Sequence, residues 1–358
     1  GLGDVYKRQL PTFILYEKPG ERAEISAMID GFGRRIDYLR ISVTDWCNLR
    51  CVYCMPEEKG GGTLAERPEG QEERELESGE ILALVRLLAG MGIEKIKLTG
   101  GEPLLYPGIE NLAGELKQIS GISQVTLTTN GILLAEKADA LEEAGIDGIN
   151  LSLDTLDPEV FFAITRRRGF ARVMEGFQRI LEGGKIPLKV NCVPARILGQ
   201  KAEEVAGLAR NYPVAVRYIE MMPIGEGRNY EKVGEESMLE LLQARYGNAR
   251  PFAGEMGNGP GHYYDFPGFS GKVGFISAVT HKFCNSCNRL RLTSRGFLKT
   301  CLQYEQGVDL GVRLRSGAKE EEICRAVEEA VRQKPEGHQF SCAGGEKLER
   351  HTMAQIGG

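Results

Sequence analysis

The 358-residue chain lacks any apolar run approaching the roughly 18 to 20 residues of a membrane span, and no charged-then-apolar segment opens it. These absences lead to the expectation of a cytoplasmic protein with no membrane partner. An excess of positive charge is missing too: 45 Lys and Arg stand against 50 Asp and Glu, a formal net charge of −5. That argues against non-specific nucleic-acid binding as the main activity, so any anion must meet a local basic pocket. Histidine is scarce, and the 4 in the chain form no ligand spacing. Cysteine is not scarce. Nine of them, an odd number with tight local spacings, read as metal ligands more readily than as a disulfide framework.

From Ile36 onward, short apolar runs alternate with amphipathic stretches. Strands are expected at Tyr38 to Val43, Ile96 to Thr99, Val125 to Thr128, Gly148 to Leu153, Leu188 to Val193 and Val216 to Glu220. The clearest helix between them places Ile81, Leu84, Val85 and Leu88 on one face, with Ser78 as N-cap and Gly90 near its end. Six β-then-α units predict parallel strands with helical crossovers, a partial or complete (β/α) barrel with its active site at the C-terminal strand ends. Residues 1–29 form an opening segment, of which Gly1 to about Gln9 shows no period and is given no function. Residues 30–225 make the barrel and 226–358 a C-terminal region. Pro56 to Glu77 and Pro251 to Pro267 read as exposed loops, both Gly-rich.

Three motifs carry chemistry. Cys47, Cys51 and Cys54 form a C-x3-C-x2-C triplet just after the first strand. Three thiolates on so short a loop can hold three irons of a 4Fe-4S cluster and leave the fourth iron open. A structural zinc knot or a disulfide pair are the alternatives, although zinc sites favour paired C-x2-C with a distant second pair, and no such pair lies close by. Thr99-Gly100-Gly101-Glu102-Pro103 closes the second strand; its glycines allow close backbone approach, and its acid could orient an amine. Cys284, Cys287 and Cys301 form a second triplet, C-x2-C-x13-C, for which a zinc ion completed by His281 or His262 is the rival. Arg289 and Arg291, two apart, would share one side of a strand and could grip phosphates. Arg166-Arg167-Arg168 reads as a solvated basic run at a helix end. Cys192, Cys324 and Cys342 read as free thiols.

The cysteine triplet followed one strand later by Gly-Gly-Glu-Pro resembles the radical S-adenosylmethionine superfamily. Within it, the chain is similar to the GTP 3',8-cyclase family, which starts molybdopterin biosynthesis. That likeness rests on Phe32-Gly33-Arg34, Leu39 to Asp45, both triplets, Leu151 to Asp157, Glu220 to Gly225 and Gln355 to Gly358. It implies a radical SAM barrel with a C-terminal extension carrying a second 4Fe-4S cluster, and a lyase that turns GTP into (8S)-3',8-cyclo-7,8-dihydroguanosine 5'-triphosphate by way of a 5'-deoxyadenosyl radical.

Position by position, the resemblance implies that Cys47, Cys51 and Cys54 hold the cluster that binds S-adenosylmethionine, with Tyr53, Gly101, Ser152 and Met222 contacting that cofactor. Cys284, Cys287 and Cys301 would hold the second cluster, next to GTP. Arg40, Lys97, Thr128, Lys189, Arg217, Arg289 and Arg291 would contact the nucleotide. Arg40, Arg289 and Arg291, together with Gly357 and Gly358 of an inserted tail, would serve catalysis. The expected partners are GTP, an electron donor such as flavodoxin or ferredoxin, a downstream cyclic pyranopterin-forming enzyme and a second copy of the chain in a homodimer.

Three departures from the family pattern stand out: Trp46 where Arg is usual, Lys97 where Arg is common, and Tyr106-Pro107 where an arginine pair commonly follows. Two other functions are compatible with parts of the sequence. One is a radical enzyme with an auxiliary cluster that modifies a peptide or protein; the other is a non-catalytic iron or redox sensor. The Arg289/Arg291 pair and the terminal Gly-Gly argue against the first, and the whole constellation against the second.

Overall fold

A computed structural model of the chain describes residues 27–55, 75–254, 256–257, 259–340 and 352–356. The opening residues, the expected loop from Pro56 up to residue 74, Cys342, Gly357 and Gly358 lie outside the described residues.

Six strands alternate with helices: β1 (Tyr38–Ser42), α1 (Ser78–Gly90), β2 (Lys95–Thr99), α2 (Ile109–Lys117), β3 (Gln124–Thr129), α3 (Leu134–Glu143), β4 (Ile149–Ser152), α4 (Pro158–Thr165), α5 (Phe170–Gly183), β5 (Leu188–Cys192), α6 (Gly207–Asn211) and β6 (Ala215–Ile219). The chain continues through α7 (Glu235–Tyr246), β7 (Arg250–Phe252), β8 (His262–Asp265), β9 (Lys272–Ile276), β10 (Arg289–Leu292), β11 (Phe297–Lys299), β12 (Gly307–Asp309), α8 (Leu310–Arg315) and α9 (Glu320–Arg332).

All twelve strands form one sheet in the order β12-β11-β10-β1-β2-β3-β4-β5-β6-β9-β8-β7. The run from β10 through β9 is parallel throughout. The C-terminal region is therefore no separate layer. It extends the six-stranded sheet at both edges, with β9 beside β6, β10 beside β1, and an antiparallel hairpin outside each. The segment 277–288 has to run from the C-terminal end of β9 at one edge to the N-terminal end of β10 at the other.

The strands alternate as in an ordinary barrel, but the inward face is polar and lines an open space instead of a packed core. Leu39, Ile41, Ile96, Leu98, Val125, Leu127, Ile149, Leu151, Val190 and Val216 are buried against the helices. The residues between them, Arg40, Lys97, Thr126, Asn150, Lys189 and Arg217, face an interior cavity. On α1, Ile81, Leu84, Val85 and Leu88 are fully buried, each stabilising the fold by about 1.5–3 kcal/mol relative to exposure.

Two expectations need correction. Ser78 is the first residue of α1 rather than its N-cap. Glu77 caps the helix in a reciprocal box with Glu80, while the Ser78 hydroxyl turns to the Tyr106 hydroxyl 3.3 Å away. Pro251 to Pro267 is not all loop, because most of β7 and all of β8 pair within it; the turn's Met256 carbonyl accepts from Lys189 Nζ at 2.6 Å. Among the described residues no helix is long and apolar enough to cross a membrane.

Candidate active site

The loop after β1 carries the first triplet and is fixed at its base by the glycine pair. Gly101 N–H donates to the Thr44 carbonyl and Glu102 N–H to the Trp46 carbonyl, both at 2.7 Å. A Cβ on Gly101 would lie 2.1 Å from the Trp46 oxygen, and one on Gly100 would lie 2.4 Å from the Thr44 oxygen. These glycines let two loops touch through backbone alone. Glu102 is buried and hydrogen-bonded: its carboxylate accepts from Leu104 N, Thr129 Oγ1 and Asn130 N. Burial pushes it up to about 7, against the pull of those hydrogen bonds. Its carboxylate ties the β2 loop to the end of β3, and Oε2, which takes one of the three bonds, keeps a lone pair with which to orient an amine.

Trp46, the first departure from the family pattern, lies under the guanidinium of Arg50, 4.5 Å from the ring centre. Tyr106 likewise has a structural partner, donating to the Leu76 carbonyl at 3.1 Å. Tyr53, within the triplet, donates to half-buried Asp154 at 2.5 Å, and Asp154 also accepts from Val193 N. Burial raises Asp154 to about 6 despite these donors.

All three thiols of this loop are free and border the cavity. Burial drives them up. Cys47 reaches about 12, with Glu102 adding to the effect; Cys54 reaches about 11, with a backbone hydrogen bond from Ala354 pulling the other way. Cys51 rises well above its ordinary value through burial and then the nearness of Cys54, Asp154 and Cys47. Three adjacent thiols without a fourth suit an iron-sulfur cluster with one open iron. Metal binding there would displace the protons that burial retains.

The second triplet lies at the other end of the strands. Cys284 and Cys287 precede β10, which is parallel to β1. Cys301 follows β11, which returns antiparallel with Lys299 opposite Arg291. One cavity of about 440 Å³ reaches from the first triplet to the second. At the second, burial opposes ionisation of Cys287, but Lys334, Arg289 and Arg291 outweigh it and hold the thiol below its ordinary value. His262 and His281 do not complete this triplet: both pair with Glu235, and neither borders the cavity. Among the described residues no three His, Cys, Asp or Glu side chains are drawn together on a single metal ion.

Between the triplets stand the cations. Arg291, Arg40 and Lys97 are direct neighbours on β10, β1 and β2. Lys97 is buried and held well below an ordinary lysine, first by desolvation and then by Arg217, Arg40, Lys189 and Arg289. Burial and Arg217 bring Lys189 to about 8. Arg289 stacks over Phe283, its buried Nε without a hydrogen-bond partner. Arg217 is held by Asn150 and Asn191, each accepting from Nη2 at 2.6 Å, and Asn150 donates to Thr128. Those two asparagines were missed in the sequence; they occupy the inward positions of strands whose other inward residues are Ser152 and Lys189.

Tyr53, Gly101, Ser152 and Met222 line the same cavity, as do Met353 and Ala354 just before the terminal glycines. Arg167 departs from its expected exposure. It is 5% exposed, because Arg166 ends α4 in a left-handed conformation and turns the chain inward. Cys192 is a buried thiol, and Cys324 is half-buried and free.

Residues 41–210 match the Radical SAM superfamily, and residues 214–340 match Molybdenum Cofactor Synthesis C. The fold is similar to that of SuiB from Streptococcus suis bound to S-adenosylmethionine: TM-score 0.56 at 16% identity, over 86% of this chain and 69% of that one. With its partial barrel and a cysteine triplet after the first strand, this is a radical SAM protein. The chain is 41% identical to the GTP 3',8-cyclase of Desulforamulus reducens over 92% of its length and all of that protein. It is 43% identical to that of Pelotomaculum thermopropionicum, with the same coverage. The chain belongs to the GTP 3',8-cyclase family.

Proposed function

We propose that the cavity converts GTP to its 3',8-cyclised isomer in molybdopterin biosynthesis, with S-adenosylmethionine as radical source and a 4Fe-4S cluster on each triplet. The observation that carries this reading is a cavity with three free thiols at each end and cations between them, a distribution that suits a polyanion. In it, Cys47, Cys51 and Cys54 would hold the cluster that presents the cofactor, bordered by Tyr53, Gly101, Ser152 and Met222. Bound there, these groups supply a carbon radical by one-electron cleavage of the sulfonium. Cys284, Cys287 and Cys301 would hold the second cluster.

Arg40, Lys97, Lys189, Arg217, Arg289 and Arg291 neutralise the triphosphate, and Thr128 offers a hydroxyl beside them. Fixing the nucleotide from several strands holds it still between the two ends of the cavity. Met353 and Ala354 border that space, and beyond two intervening residues the chain carries Gly357 and Gly358, whose lack of side chains would let a tail approach charged groups by backbone. Residues 30–225 thus carry the cofactor and 226–358 the second cluster. An electron donor such as flavodoxin or ferredoxin, a downstream cyclic pyranopterin-forming enzyme, a homodimer and a cytoplasmic setting belong to this reading and rest on the resemblance.

The test is anaerobic incubation of reconstituted protein with GTP, S-adenosylmethionine and reductant. The expected result is a cyclised GTP isomer by mass and 5'-deoxyadenosine whose yield rises with GTP. Formation of 5'-deoxyadenosine with no change in GTP would overturn the substrate assignment.

A further inference from the structure

We infer that Lys334, assisted by Arg34, is a positioning residue for the second triplet, fixing its thiols and favouring the reduced form of the cluster held there. The inference rests on the reading that this triplet holds a cluster.

Lys334 follows α9 and is 3% exposed. An ammonium whose task was to cap its own helix would bond that helix's last carbonyls. Lys334 Nζ donates instead to the Arg289 carbonyl at 3.0 Å and to the Thr300 carbonyl. Arg289 lies two residues after Cys287, and Thr300 immediately precedes Cys301, so a single ammonium ties together the two distant arms of the triplet.

The third arm is tied by Arg34. Its guanidinium, paired with buried Asp30, donates to the carbonyls of Cys284, Glu336 and Pro335, each at 2.7 Å. The segment 334–337 consequently packs directly under Cys284: a Cβ on Gly337 would lie 3.4 Å from the Cys284 sulfur. All three cysteines are thus spaced by two buried cations acting on backbone carbonyls.

The charge has a second effect. Lys334 is within electrostatic reach of both Cys287 and Cys301. One electron from an external low-potential reductant adds one negative charge to a cluster, and a buried cation nearby stabilises that state far more than it would in water.

The test uses the full chain, reconstituted anaerobically, as Lys334→Met and Lys334→Gln. Iron per chain, an EPR-monitored redox titration and GTP affinity by calorimetry are the readouts. The second cluster's signal is identified by its loss in Cys287→Ala. In both variants its midpoint should move to more negative potential while that of the first cluster stays put. GTP should bind several-fold more weakly to Lys334→Met than to Lys334→Gln, which keeps a donor for the carbonyls. A fully loaded pair of variants with the wild-type midpoint and GTP affinity would sink the inference. If neither variant loads the second site, Lys334→Arg, which keeps charge and donors, should restore it, and failure to do so also overturns the assignment. Wild-type protein with a single cluster would instead remove the two-cluster reading on which the inference stands.

Discussion

Arg291 on β10 stands in register beside Arg40 on β1, and Lys97 on β2 flanks Arg40 on its other side. Like charges on adjacent strands repel, and burial adds to the cost of keeping them ionised. Arg291 is held well below an ordinary arginine by burial and then by Arg40 and Arg289. A row of cations on adjacent strands is an arrangement that a polyanion would neutralise.

Arg291→Leu should therefore leave the thermal midpoint of the substrate-free protein unchanged or higher. It should weaken GTP binding by about 1.5–3 kcal/mol, the range for hydrogen bonds to a charged partner, or roughly 10- to 150-fold. Calorimetry and thermal denaturation on the same preparation check both. A destabilised protein with normal GTP affinity would make Arg291 a structural residue.

The triplets at opposite ends of the cavity predict separable losses. Reconstituted wild-type protein should contain about eight irons and each triplet variant about four. Cys51→Ala should abolish 5'-deoxyadenosine formation, whereas Cys287→Ala should retain slow cleavage without GTP and lose cyclised product. Equal loss of cleavage in both would contradict the division.

Lys97 and Lys189 predict proton uptake on GTP binding. Both are depressed by desolvation and by the surrounding cations, Lys97 strongly and Lys189 to about 8. A triphosphate supplies the opposite charge and raises both, so binding drives them toward the protonated form. Affinity should fall as pH rises through about 8. Calorimetry in buffers of different ionisation enthalpy should report the uptake, and Lys97→Met should reduce it. Proton release on binding would mean that these lysines do not face phosphate.

Gly101→Ala tests the loop base. Its new methyl would meet the carbonyl oxygens of Trp46 at 2.1 Å and Asp45 at 2.8 Å, and both are backbone atoms that cannot swing away. Overpacking of this kind costs about 1–3 kcal/mol and shifts the loop. Iron should be lost from the first site alone, with the signal of the second retained in the EPR spectrum. Full loading of both sites would show that the loop base tolerates displacement.

Much of this was legible along the chain because strands write their two faces into alternate positions. Lys97 between Ile96 and Leu98, and Arg289 and Arg291 around Leu290, already assign an inside and an outside. What could not be read is whatever depends on pairing across long separations. That the triplets occupy opposite ends of the cavity follows from β10 lying parallel to β1, with Tyr38 beside Arg289. Lys334 sits just beyond a helix, where a basic residue usually only complements the helix dipole; its partners, Arg289 on β10 and Thr300 just after β11, lie 45 and 34 residues away. Arg167 was misjudged because its neighbour Arg166 takes a left-handed turn at φ 56°, which nothing in a run of three arginines announces. Asn150 and Asn191 were within reach, since a two-residue step from Ser152 and Lys189 lands on each.

The two-edged extension of the sheet also sets the order in which the molecule can be built. A nascent chain that has finished β6 has β1 and β6 as open edges, each a row of unpaired backbone donors and acceptors able to recruit another chain. The strand that covers β1 begins at Arg289, some 250 residues after Tyr38 in the register that joins them. Such closure is slow because the entropy of bringing distant segments together is spent before any contact repays it. The cationic row of Arg40 and Lys97 remains incomplete until that late strand arrives, so the binding chamber and the protection of the fold from self-association are finished in the same step.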